Sequence, residues 1–144
     1  MKLPAEPWKR LVLAATAAML AIFLLSWISL WVVPGAWREA LNTRAGYLAP
    51  FSYLVVAIGM AVGGRVAGMR FVAWAAALTL LMWLATILVL SGVMLPEGAR
   101  SEVLPISRLL RLNVLSAVLT IVAAAGGAYL GALTEARRLR HVAR

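Results

Sequence analysis

Side chains able to do acid–base or metal chemistry are few in this chain, and their positions rule against most intramembrane reactions. There is one histidine (His141), no cysteine, and five acidic residues, Glu6, Glu39, Glu97, Glu102 and Glu135. None of these, and no lysine or arginine, falls within the long apolar runs. Proton relays and ion-coupled transporters normally place an ionisable group at hydrocarbon depth. A haem-binding helix needs an imidazole there, and an intramembrane protease needs positioned acid–base groups or a metal. We therefore assign no catalytic, cofactor-binding or metal-ligating residue and read the chain as non-enzymatic. The hydroxyls Ser26, Ser29, Ser52, Thr79, Thr86, Ser91, Ser116 and Thr120 are expected to bond the preceding helical turn or a neighbouring helix.

What the spacing offers instead is a pair of contact surfaces. Gly59-Met-Ala-Val-Gly-Gly-Arg-Val-Ala-Gly68 and Gly126-Gly-Ala-Tyr-Leu-Gly131 each contain Gly-Gly-x-x-x-Gly, 63 positions apart, at the end of an apolar run. Glycines four apart share a helix face and let a second helix approach closely in lipid. The helix-packing candidates are Gly59, Gly63, Gly64, Gly68, Gly126, Gly127 and Gly131. They extend into stripes of small or polar residues. One is Ser52, Val56, Gly59, Gly63 and Ala67; the other is Asn113, Ser116, Thr120, Ala124, Gly127 and Gly131. The two stripes are expected to meet, with the helices parallel, inside one chain or against a second copy or another subunit. Leu115, Leu119 and Val122 would face lipid.

The elements that carry these surfaces follow from hydropathy. The 144 residues are 64% hydrophobic and 13% charged, with mean hydropathy +0.93, against roughly half apolar and a quarter charged in soluble domains. This composition is that of an integral membrane protein, here a single all-α domain of four transmembrane helices. The spans are expected over 11–33, 47–64, 71–95 and 112–133, with a basic tail over 135–144. Pro4 and Pro7 oppose a helix start before Trp8. A cleaved signal peptide is the rival reading for the first span, but its apolar core would be too long and its cleavage site poor. Residues 34–46 read as a short polar loop, and Arg65–Arg70 as a tight turn that makes spans two and three antiparallel neighbours. Pro105 suits the first position of the last helix.

Charge sets the expected orientation. The leader, the 65–70 turn and the tail hold nine of the 14 Lys and Arg, so both termini are expected to be cytoplasmic. Trp8, Trp31, Trp37, Tyr47 and Trp74 lie near span ends, where aromatic belts belong. A net charge of +9 clustered between apolar runs points to anionic lipid headgroups rather than nucleic acid. Arg65, Arg70, Arg108, Arg111 and Asn113 are the candidate headgroup or anion contacts, with interfacial anchoring as the simpler reading. Asn113 also suits an interhelical hydrogen bond.

The halves read as two hairpins of the same orientation, each with a tryptophan (Trp27, Trp83) in the outgoing helix. Tandem duplication and chance similarity both remain open. Gly63, Gly64, Ala67 and Gly68, followed by Gly126, Gly127 and Gly131, resemble the YrzE-like family of small four-helix bacterial membrane proteins. That resemblance implies a four-span bundle in the cell membrane and no particular activity. The arginine-bearing stretch over 96–111 departs from the family's compact pattern. Small multidrug exporters, by contrast, carry a glutamate in the first span that is missing here. The expectation is a protein that acts by helix–helix association, as a homo-oligomer or accessory subunit. The alternative is a small oligomeric channel or transporter lined by hydroxyls, glycine backbone and Asn113.

Overall fold

A computed structural model describes residues 7–43, 46–90 and 106–142. Four helices are long and apolar enough to cross a membrane: α1 (Pro7–Val32), α3 (Pro50–Ala67), α4 (Arg70–Leu90) and α5 (Ile106–Val142). A single turn, α2 (Gly35–Arg38), follows α1. At about 1.5 Å per residue the four long helices measure ~39, ~27, ~32 and ~56 Å, against a hydrocarbon core of about 30 Å. The last helix therefore outruns the bilayer, and its basic tail continues as helix through Val142.

Several boundaries differ from the sequence reading. Among the described residues α1 already includes Pro7, one residue before the expected start; proline's missing N–H costs nothing in a first turn. The second span starts at Pro50 and runs on through Arg65 to Ala67. Residues 91–95, Ser91 among them, the loop over 96–105 and Pro105 lie outside the described residues.

The loop over 34–46 also holds more structure than a polar connection. Leu41–Thr43 (β1) and Gly46–Leu48 (β2) pair antiparallel, with Leu41 opposite Leu48 and Thr43 opposite Gly46. Thr43 Oγ1 donates to the Gly46 carbonyl at 2.7 Å. Gly46 sits at φ +117°, and its bare Cα presses on the Leu112 carbonyl of α5, so no side chain fits there. This hairpin thus packs on α5 beside the start of the short α3. Arg38 Nε donates to the Val33 carbonyl at 3.0 Å, satisfying an acceptor left over where α1 ends.

The bundle is two antiparallel hairpins, α1–α3 and α4–α5, joined along α3 and α5, which share the most extensive contact in the fold. Its core is made of small residues: Ala14, Ala18, Met60, Ala75, Ala124 and Ala128 surround Phe71, the one large side chain fully buried among the described residues. Without a hydrophobic drive between helices in lipid, close backbone approach has to supply the attraction. Phe71 packs beside Gly63, where α1, α3 and α4 meet at the end of the bundle that carries the N-terminal helix start. Between them, α1 and α4 share little contact.

Candidate binding site within the bundle

The site is framed by the seam between α3 and α5. A Cβ on Gly64 would overlap the carbonyl of Ala128, one on Gly127 that of Ala57, and one on Gly131 that of Ala61. From the Tyr53–Ser116 contact through Ala57–Gly127 to Ala61–Gly131 the partners rise together along both chains, so the two helices run parallel. The seam is not where the sequence echo puts it, however. Gly64 and Gly131 are 67 residues apart, as are Ala61 and Ala128. The Gly64–Ala128 and Gly131–Ala61 contacts are thus one contact seen from either helix, in the frame Ala-x3-Ala-x2-Gly. That frame lies one helical turn from the Gly-Gly-x-x-x-Gly echo.

The remaining glycines divide by face. Gly59 abuts Ile22 and the Ala18 carbonyl of α1, and Gly63 abuts Phe71 and the Ala14 carbonyl. The stripe through Gly59 and Gly63 therefore turns to α1, while α3 offers α5 the row Tyr53, Ala57, Ala61 and Gly64. This corrects the expected meeting of the two stripes. Two packing candidates make no such contact. A Cβ on Gly126 would meet nothing within 4 Å, and the residue is exposed on the outer face of α5. Gly68 also has open space; it ends α3 at φ +69°, its N–H donating to the Gly64 carbonyl at 2.8 Å. Its role is to turn the chain into α4 at φ +69° and ψ −155°, a region reserved almost wholly for glycine that costs other residues roughly 1–3 kcal/mol.

Above the glycine seam, small residues give way to hydroxyls. The Tyr53 hydroxyl lies 3.0 Å from Ser116 Oγ and accepts the Ala49 N–H at 3.2 Å. It thereby serves a donor at the start of α3, where no side-chain cap is present. Beside this pair a cavity of about 380 Å3 opens between α1, α3, α4 and α5. Ser52, Tyr53, Thr79, Thr86, Ser116 and Thr120 contribute hydroxyls to its lining. Met19, Met60 and Met82 supply thioethers, and Trp83 of α4 supplies an indole. Among the described residues of the lining there is no carboxylate, amine, guanidinium or imidazole.

Most of the hydroxyl protons are already committed. Thr79 donates to Ala75 at 2.7 Å, Thr86 to Met82 at 2.9 Å and Thr120 to Ser116 at 2.7 Å, each to a backbone carbonyl one turn back. These groups face a ligand mainly as oxygen acceptors. Two donors differ: neither Trp83 Nε1 nor Ser52 Oγ has a hydrogen-bond partner among the described residues. The half-buried Trp83 nitrogen is not sealed off, since no fully buried side-chain polar atom is left unpaired. In the sequence Trp83 stands out only as the counterpart of Trp27.

The predicted polar contacts whose side chains are described lie apart from this cavity. Arg65 Nε donates to Thr134 Oγ1 at 3.2 Å, and Thr134 in turn donates to the Gly131 carbonyl. Arg70 and Arg10 line a separate hollow of about 480 Å3 beside the α3–α4 turn. Arg111 is exposed, Asn113 is half-buried, and the Arg108 side chain lies outside what is described. Asn113 does not line the cavity. No family model matches the chain, and comparisons with curated proteins and with solved structures likewise found no match.

Proposed function

We propose that this chain is a non-enzymatic, multi-pass membrane protein that binds or carries an uncharged solute, with the cavity between its four helices as the working site. The observation behind this reading is the lining: hydroxyls, thioethers and an indole around about 380 Å3, with no ion-pairing group among the described residues. The volume lies within the range of small-molecule sites, about 300–1,000 Å3. A charged solute would be desolvated there without a counter-ion, which is costly at bilayer depth. Proteoliposomes test the reading with a panel of uncharged solutes beside monovalent ions. Uptake or retention of an uncharged solute above protein-free vesicles, reduced by the filling variant Ser52→Phe, is expected. No retained or transferred solute, or indifference to Ser52→Phe, would reject it.

A second reading is association, as a homo-oligomer or the accessory subunit of a membrane complex. The glycine ridges are spent inside one chain, so a partner would use another surface. The sparse contact between α1 and α4 favours that seam, where an added helix would close the ring. Because the chain has no cysteine, Met19→Cys and Met82→Cys can report the contact by cross-linking in native membrane. Both readings place the protein in a cell membrane with cytoplasmic termini and anionic headgroups around its basic end.

A further inference from the structure

The ligand's chemical class can be read from the two uncommitted donors, an inference that rests on the cavity being the working site. We propose that the cavity holds a neutral amphiphile that presents a carbonyl oxygen to Trp83 Nε1 and Ser52 Oγ, with its apolar remainder leaving between α1 and α4. An indole N–H within a bundle normally finds an acceptor, and at bilayer depth water is a poor substitute. The threonine hydroxyls have donated to their own helices, so Trp83 and Ser52 are the wholly unpartnered donors facing an acceptor, beside the one proton that the Tyr53–Ser116 pair does not use between its own members. A ligand that also carries a donor can give it to the threonine oxygens, whose lone pairs stay free.

The shape agrees with an amphiphile. Ser52 and Thr86 lie towards the β-hairpin end, whereas Met19, Met60 and Ile22 line the deeper part. The polar group would then sit nearest the membrane interface and the tail among thioethers, which adapt to irregular apolar shapes. The weak α1–α4 contact gives the tail a lateral way into lipid. No lining group among the described residues offers a counter-charge, which sets a neutral headgroup apart from a phosphate or an ammonium.

The test uses the full chain in nanodiscs, with bound mass read by native mass spectrometry. The probes are a decyl-substituted benzoquinone and dioleoylglycerol as carbonyl amphiphiles, tetradecane without an acceptor, and tetraphenylphosphonium as a lipophilic cation. Both carbonyl probes are expected to bind, and Trp83→Phe, which keeps a ring but removes the donor, should weaken binding roughly tenfold. Ser52→Ala, at an exposed and unpartnered hydroxyl, should weaken it severalfold, while Trp31→Phe at an exposed site away from the cavity leaves it unchanged. Equal binding of tetradecane, or binding indifferent to both Trp83→Phe and Ser52→Ala, overturns the carbonyl assignment. Preferential binding of tetraphenylphosphonium, displaced by Ser52→Phe, overturns both the neutral class and the uncharged-solute reading but keeps the cavity as a site. If no probe binds, both the ligand class and the cavity as working site fall.

Discussion

Gly64 of α3 and Ala128 of α5 meet backbone to backbone, so that a methyl group on Gly64 would lie on the Ala128 carbonyl. A backbone neighbour cannot rotate away as a side chain can. Gly64→Ala should therefore force the helices apart and cost about 1–3 kcal/mol, as overpacking does, and Gly64→Leu should cost more. Gly126→Ala, at the outward-facing member of the same motif, should be neutral or slightly stabilising because alanine is the better helix former. Thermal unfolding in one detergent compares the three variants directly.

The pairing of Tyr53 with Ser116 joins residues from separate hairpins. Interhelical hydrogen bonds in membrane proteins contribute about 0.6 kcal/mol on average and reach ~1.7 kcal/mol. Tyr53→Phe also leaves the Ala49 N–H without its acceptor, so it should destabilise more than Ser116→Ala. A double-mutant cycle should return a coupling of about 1 kcal/mol. Additive effects would show that the two hydroxyls do not interact.

Gly68 has room for a methyl group, so a substitution there acts only through the backbone. With φ at +69° and ψ at −155°, Gly68→Ala should destabilise by about 1–3 kcal/mol. Unfolding measurements can set it beside Gly35→Ala, which also has open space but no positive φ and should have little effect. Equal effects at the two sites would remove the turn's requirement for glycine.

How far the sequence disclosed this arrangement depends on the question asked of it. Four uncharged runs and their basic flanks were enough to locate the spans, because a membrane tolerates few other arrangements. The faces were harder. On α3, Gly59 and Gly63 turn to α1 while Gly64, one residue on, turns to α5. Small residues thus lie on two faces, and periodicity alone cannot choose between them. In a helix apolar all round, the usual contrast between buried and exposed faces is also missing. The hairpin over 41–48 escaped notice since three-residue strands are too short for alternation to register. The cavity could not be foreseen from spacing, as it draws on four helices whose hydroxyls are unremarkable one at a time.

Orientation has its own measurement. The cysteine-free background allows single reporters at Gly35→Cys, beside the hairpin, and Arg137→Cys, near the end of α5. With cytoplasmic termini, a membrane-impermeant thiol reagent added to intact cells should label the first and not the second. The reverse pattern would invert the topology and place the cavity mouth on the cytoplasmic side.

The enclosed seam underlies the cavity, the spent glycine ridges and the open side between α1 and α4. Its most direct measurement is cross-linking of Tyr53→Cys/Ser116→Cys by a short bifunctional maleimide, which spans the room the tyrosine ring leaves, with one chain per nanodisc. A bond within the single chain, at monomer mass and in high yield, is expected. No bond under those conditions, with cross-linked dimers appearing only when two chains share a disc, would mean that α3 and α5 meet between molecules.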